Sequence, residues 1–284
     1  MAYTTLISTA ALSLRLDDPE LVVVDCRYAL GSPDWGEDAW AAGHIRGAVY
    51  ADLERDLSGP KTGKNGRHPL PDVAALARTF GRFGISGGSQ VVAYDQDTGM
   101  FASRLWWLLR WLGHDEVAVL DGGFAKWGAE HRPFSVESDR PAATNFQPMV
   151  RPHMVATLSA VADRHADPNW RLIDARAPER YSGETEPLDK VAGHIPGATN
   201  YFFQGNLNEN GTFRKPEQLR QQLQAALGSA QPDHAICYCG SGVTACHNLL
   251  ALEHAGISGV RLYPGSWSEW SSDPARPTET KDRA

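Results

Sequence analysis

The heptapeptide Ala42-Gly43-His44-Ile45-Arg46-Gly47-Ala48 returns further along the chain as Ala192-Gly193-His194-Ile195-Pro196-Gly197-Ala198. Chance does not rebuild a turn-rich segment so closely. Further pairs keep the same offset of about 145 to 150 residues. Leu21-Val22-Val23-Val24-Asp25 answers to Arg171-Leu172-Ile173-Asp174, each a short apolar strand ending in Asp. Val91-Val92-Ala93-Tyr94-Asp95 answers to Ala235-Ile236-Cys237-Tyr238-Cys239, and Gly122-Gly123-Phe124-Ala125-Lys126-Trp127 to Gly265-Ser266-Trp267-Ser268-Glu269-Trp270. The period is that of a domain rather than of a solenoid repeat. A chain with this repeat must fold as two copies of one architecture.

Within each copy, β-branched strands alternate with stretches of helical spacing at 72–80, 100–112, 216–227 and 243–254. That alternation predicts an α/β fold in which each copy is a mostly parallel sheet flanked by helices. The segment 139–152 carries three prolines and little periodicity. It is expected to be the linker between copies spanning 1–138 and 153–284. The helical stretch Arg104 to Trp111, rich in tryptophan, is expected in a core or interface, and Gly59 to Gly66 as an exposed loop without nucleotide-loop spacing. With 284 residues, 42% of them hydrophobic, both copies can bury cores, and a formal charge of −7 with no basic run excludes nucleic acid and anionic membrane as expected partners. There is no apolar run of membrane-span length, and four cysteines are too few for a disulfide scaffold, so the cytoplasm is the expected compartment.

Chemistry concentrates where the second copy departs from the first. Cys239 ends a buried strand and is followed by Gly240-Ser241-Gly242-Val243-Thr244, then a helix. The glycines let backbone N–H groups converge on one point, and the helix N-terminus adds its positive end. Such surroundings favour thiolate over thiol and make Cys239 a candidate nucleophile. Cys237 and Cys246 are expected to be packing residues. A metal site from Cys237, Cys239, Cys246 and His247 lacks a second ligand pair. A phosphatase loop would need Arg where Ala245 stands. No cofactor and no metal are expected.

The tandem copies, the two Gly-His-Ile-x-Gly-Ala elements and the loop from Cys239 to Thr244 with Gly265-Ser266-Trp267 beyond it closely resemble the two-domain rhodanese-type sulfurtransferases. The six-residue loop is similar to that of 3-mercaptopyruvate sulfurtransferases. The resemblance implies an inactive first copy, in keeping with Asp95 in the cysteine's slot. It implies sulfane-sulfur transfer through a Cys239 persulfide, from a small sulfur donor to cyanide, a thiol or a thioredoxin-like acceptor. Loop residues Gly240, Gly242, Val243 and Thr244 would line the site, with Thr244 capping the helix or donating to the persulfide. Arg180 falls at the arginine that binds the donor's anionic group, while Arg176 is expected to pair with Asp174. The mercaptopyruvate enzymes carry a second arginine after a Glu-Pro pair. Here Glu186-Pro187 is followed by Leu188, which leaves Lys190 as the candidate charge and thiosulfate as the alternative donor. Ser241 would relay a proton with His44 and either Asp34 or Asp38 behind it, although the repeat of His44 at His194 argues for a structural role. Trp267 and Trp270 are expected to wall the cleft. A persulfide carrier that turns over no small donor is the reading from another functional class.

Overall fold

The computed structural model describes residues 2–138 and 141–280. Asp139 and Arg140, which open the expected linker, and the terminal residues 1 and 281–284 lie outside the described residues. The chain divides into two compact units: Met1–Gly59, Leu70–Arg151 and Asn208–Phe213 form one, and Pro60–Pro69, Pro152–Leu207 and Arg214–Ala284 the other. Each unit is thus discontinuous in sequence.

The first unit runs β1 (Leu6–Ile7), α1 (Thr9–Ser13), β2 (Leu21–Asp25), α2 (Trp35–Ala42), β3 (His44–Ile45), β4 (Val49–Tyr50), α3 (Val73–Arg82), β5 (Gln90–Tyr94), α4 (Ala102–Trp111), β6 (Val117–Leu120), α5 (Gly123–Ala129) and β7 (Phe134–Ser135). Its five-stranded sheet has the order β1-β6-β5-β2-β4 with every pair parallel, and β3 and β7 form a small antiparallel pair. The apolar run Leu21 to Val24 of β2 and the fully buried β5 read as strands covered on both faces by helices, as a parallel sheet requires. Asp72 caps α3 by accepting from Ala75 N–H, and α4 is buried along nearly its whole length, with Trp107 stacked on Trp111.

The second unit repeats the plan with α6 (Leu158–Arg164), β8 (Arg171–Asp174), α7 (Pro178–Tyr181), β9 (Thr199–Asn200), α8 (Pro216–Leu227), β10 (Ala235–Tyr238), α9 (Thr244–His254), β11 (Arg261–Leu262) and α10 (Ser266–Trp270). Its sheet order is β11-β10-β8-β9, again parallel, and Val155 bridges Leu262 in parallel where β1 stands in the first unit. The tandem α/β expectation therefore holds. No helix among the described residues is long and apolar enough to cross a membrane.

The repeated heptapeptide has a structural cause. Arg27 and Arg176 each lock onto the Asp two residues earlier, Nη2 to Oδ2 at 2.7 Å and 2.6 Å, with both partners buried. Each guanidinium also donates to the glycine carbonyl before the repeated histidine, Gly43 O at 2.6 Å and Gly193 O at 2.7 Å. The isoleucine N–H that follows donates to a buried tyrosine, Ile45 to Tyr94 Oη and Ile195 to Tyr238 Oη. A buried pair of this kind is justified only when its remaining donors are satisfied, and removing one partner costs about 3 to 5 kcal/mol. The glycine-histidine turn supplies those acceptors in both copies.

The expected linker is not free chain. Thr144 N–H donates to Gly81 O, Met149 N–H to Leu112 O and Arg151 N–H to Trp111 O, and Phe146 is buried edge-on to Phe80 at 5.4 Å. Residues 141–151 belong to the first unit.

Candidate functional site

The central strands β5 and β10 both end in a loop that leads into a helix, and what fills each loop differs. In the first unit the Asp95 carboxylate turns back into its own loop. Oδ1 accepts from Gly99 N–H at 2.9 Å, and Oδ2 accepts from Phe101 and Ala102 N–H at 2.7 and 3.2 Å. Burial pushes this carboxyl above the usual range, and the loop N–H groups pull against that. The anion-binding loop of the first unit is thus occupied by a residue of the chain itself.

In the second unit the thiol takes that place. Cys239 is 2% exposed, and Gly242 N–H points at its Sγ at 3.2 Å. Gly242 has φ +77°, and a Cβ on it would fall 2.4 Å from Pro264 O, so both backbone conformation and space demand glycine. Cys239 N–H donates to Ser266 Oγ at 3.1 Å, and that hydroxyl donates to Tyr263 O. Ser266 holds φ +56°, the conformation that Gly123 adopts at the matching place in the first unit with φ +59°. A side chain in this region costs on the order of 1 kcal/mol, and here the strain puts a hydroxyl under the cysteine backbone. Val243 rather than Thr244 occupies the N-cap of α9, with no side-chain cap bond, and Thr244 is its first, half-buried residue.

Ser241 is nearly buried, and its Oγ lies 2.7 Å from His68 Nδ1. The expectation of His44 is corrected here. His44 Nδ1 faces Trp40 O at 2.8 Å, Nε2 faces Glu137 O at 3.1 Å, and the ring stacks on Trp40. His194 does the same on Tyr181, so the repeated histidines pin the end of the preceding helix. Asp34 and Asp38 belong, like His44, to the first unit. His68 reaches Ser241 because Pro60–Pro69 belongs to the second unit: residues 60–64 are exposed, as expected, but the segment then turns inward and His68 is 3% exposed. The sequence signal was weak, a single histidine before a proline in a segment whose glycines and lysines marked only a loop.

Arg180 donates to Glu186 through Nη2 at 2.6 Å. Burial alone would raise Glu186, but the Arg180 guanidinium and the N–H groups of Leu188 and Asp189 outweigh it and hold the carboxyl below its usual range. Arg176 pairs with Asp174, as expected, and reaches Glu186 Oε2 at 3.2 Å. Lys190 is exposed, whereas Arg67 donates to Asp189 and lies against Gly240. Sequence reasoning passed over Arg67 as it did His68. Cys237 is fully buried, and burial followed by the neighbouring thiols at 246 and 239 pushes its thiol up and keeps it protonated. The Cys246 thiol donates to Gly242 O at 3.3 Å. Trp267 and Trp270 do not line a cleft: both are fully buried in the core around Ile236 and Tyr238.

The family model described as "Rhodanese-like domain" matches residues 8–130 and again 157–273. The chain belongs to the rhodanese-like family. Rhodanese-like relatives include a probable 3-mercaptopyruvate sulfurtransferase of Pseudomonas aeruginosa, 46% identical over 99% of this chain and 100% of that protein. A putative thiosulfate sulfurtransferase of Mycobacterium tuberculosis is 38% identical over 96% of this chain and 95% of its own length. Among solved rhodanese folds, the 3-mercaptopyruvate sulfotransferase SseA of Escherichia coli superposes with a TM-score of 0.79 at 30% identity, covering 93% of this chain and 99% of that one. The two rhodanese-like copies of this chain accordingly differ in kind, one loop closed by a carboxylate and the other carrying a thiol.

Proposed function

We propose that this rhodanese-like protein is a sulfurtransferase that moves sulfane sulfur from 3-mercaptopyruvate to a thiol or cyanide acceptor through a persulfide on Cys239. The observation that carries the reading is the pairing, on one loop, of a thiol contacted by a backbone N–H with a serine hydrogen-bonded to a buried histidine. The Cys239 thiolate attacks the donor sulfur, an S–S bond forms and the C–S bond breaks, and its electron pair leaves on carbon as the enolate of pyruvate. That enolate needs a proton, which Ser241 would deliver with His68 behind it; their 2.7 Å contact supports this role. The persulfide charge rests on the loop N–H groups until an acceptor attacks the outer sulfur and returns Cys239 to thiolate. Arg180 is the binding group for the donor carboxylate, displaced onto it from Glu186. Thioredoxin-like proteins are candidate acceptors. A reducing compartment, the cytoplasm, suits a persulfide enzyme whose cysteines form no disulfide.

One observation favours thiosulfate as a second donor: the guanidinium groups of Arg67 and Arg180 both lie beside Gly240 and would suit a dianion. The relatives named above divide between the same two donors. The deciding experiment is kcat/KM with each donor, cyanide as acceptor and Cys239→Ser as control. Preference for mercaptopyruvate supports the reading and preference for thiosulfate replaces the donor. No turnover with either, together with sulfur loading only from a partner protein, would leave a carrier.

A further inference from the structure

A Cβ built on Gly240 would lie 2.7 Å from Arg67 Nη2 and 3.4 and 3.6 Å from Arg180 Nη2 and Nη1. Two guanidinium groups from distant parts of the sequence therefore flank the residue next to the cysteine. Between them stands Asp189, whose side chain is 8% exposed. Its Oδ1 accepts from Arg67, while Oδ2 has no hydrogen-bond partner among the described residues and is 3.6 Å from Arg180 Nη2. A buried carboxylate oxygen left unsatisfied is costly, so a pair serving stability alone would not be built this way. Burial pushes the Asp189 carboxyl above its usual range, and Arg67 pulls it back. Apart from Asp189, Arg67 is anchored through its backbone, by N–H donation to Ser268 Oγ at 3.1 Å, and its side chain is 27% exposed.

We propose that Arg67 is a donor-binding residue, that it and Arg180 together grip the carboxylate of the sulfur donor beside Gly240, and that Asp189 holds Arg67 in place and gives it up when the donor enters. This rests on the sulfurtransferase reading and adds a specificity-determining residue to it. The donor's planar α-oxo carboxylate would take one fork from each guanidinium, the geometry in which arginine exceeds lysine. Asp189 competes with the donor for the same cation. The two partners of the ion pair should therefore act in opposite directions.

The test uses the full chain, wild type and the variants Arg67→Ala, Arg67→Lys and Asp189→Asn, with steady-state kinetics on 3-mercaptopyruvate. Arg67→Ala is expected to raise KM roughly 10- to 100-fold, the equivalent of one lost charge-assisted contact, with kcat at saturation within a few-fold. Arg67→Lys should recover only part of that loss, and Asp189→Asn should lower KM. A fall in kcat with KM unchanged would overturn the proposal and make Arg67 a support for His68. So would a rise in KM for Asp189→Asn, the result of a purely structural pair. A second measurement does not depend on the donor's identity: the ratio of Cys239 alkylation rates with anionic iodoacetate and neutral iodoacetamide, with Cys239→Ser as blank. That ratio should drop several-fold in Arg67→Ala if Arg67 draws anions to the thiol. An unchanged ratio overturns the proposal even if the wild type turns over mercaptopyruvate. A lowered ratio sustains it even if it does not.

Discussion

The two glycines flanking Ser241 are not equivalent, and the difference is one of what each excludes. At Gly242 a methyl group meets the backbone carbonyl of Pro264 at 2.4 Å in a left-handed conformation, so neither the chain nor its neighbour can yield. Gly242→Ala is expected to destabilise the protein by well over about 1 kcal/mol, read as a lower urea midpoint. At Gly240 the methyl clashes with the end of the Arg67 side chain alone, which can move aside, and makes ordinary contact with Arg180. Gly240→Ala should leave the urea midpoint nearly unchanged and appear in the donor KM instead. Ser241 should separate the donors. Pyruvate leaves as a carbanion equivalent and needs a proton, whereas sulfite leaves from thiosulfate as a stable anion. Ser241→Ala should lower kcat with mercaptopyruvate by about 10² or more while changing the thiosulfate rate only a few-fold. Equal losses with both donors would instead assign Ser241 to the persulfide. Of these residues, Cys239 and its glycines were legible in the sequence because their chemistry is local to six positions. His68 was not, since its partner lies 173 residues away and proximity at that range leaves no periodic trace. His44 misled because a motif that repeats for structural reasons also resembles a catalytic one.

At the scale of elements, the central strands β2, β5, β8 and β10 and the four helical stretches named from the sequence matched to within about two residues, because β-branched runs and apolar spacing report burial directly. The segment 141–151 did not. Prolines made it read as linker, yet a single buried phenylalanine and three backbone hydrogen bonds bind it to the first unit. Phe146→Ala should cost about 3 to 5 kcal/mol, the ordinary loss for a core phenylalanine, whereas a free linker would lose nothing. Arg151 closes the segment with a bidentate pair to Asp115, both contacts at 2.7 Å, and this holds the Asp115 carboxyl below its usual 3.8. A lowered carboxylate stabilises the fold above its unfolded pKa and stops doing so as pH falls through the folded value. Arg151→Ala should therefore cost under about 1 kcal/mol near neutrality, the partners being partly exposed, and that difference should vanish in strong acid. A urea midpoint measured against pH for both proteins checks it.

For the whole molecule the repeat was the most informative signal, since it set the number of folds, their class and the matching positions at once. What it concealed is the division of the chain. Two copies in tandem suggest a cut between them, whereas Pro60–Pro69 belongs with the second unit and Asn208–Phe213 with the first. In the first of these exchanged segments lie the histidine that meets Ser241 and the arginine beside Gly240. A gene trimmed to its cysteine-bearing half would encode the nucleophile and lose both, and so the copy whose own loop is plugged by Asp95 cannot be discarded. The sequence of the plugged copy thus carries, in residues 60–69, a segment that folds with the other copy and meets its cysteine-bearing loop.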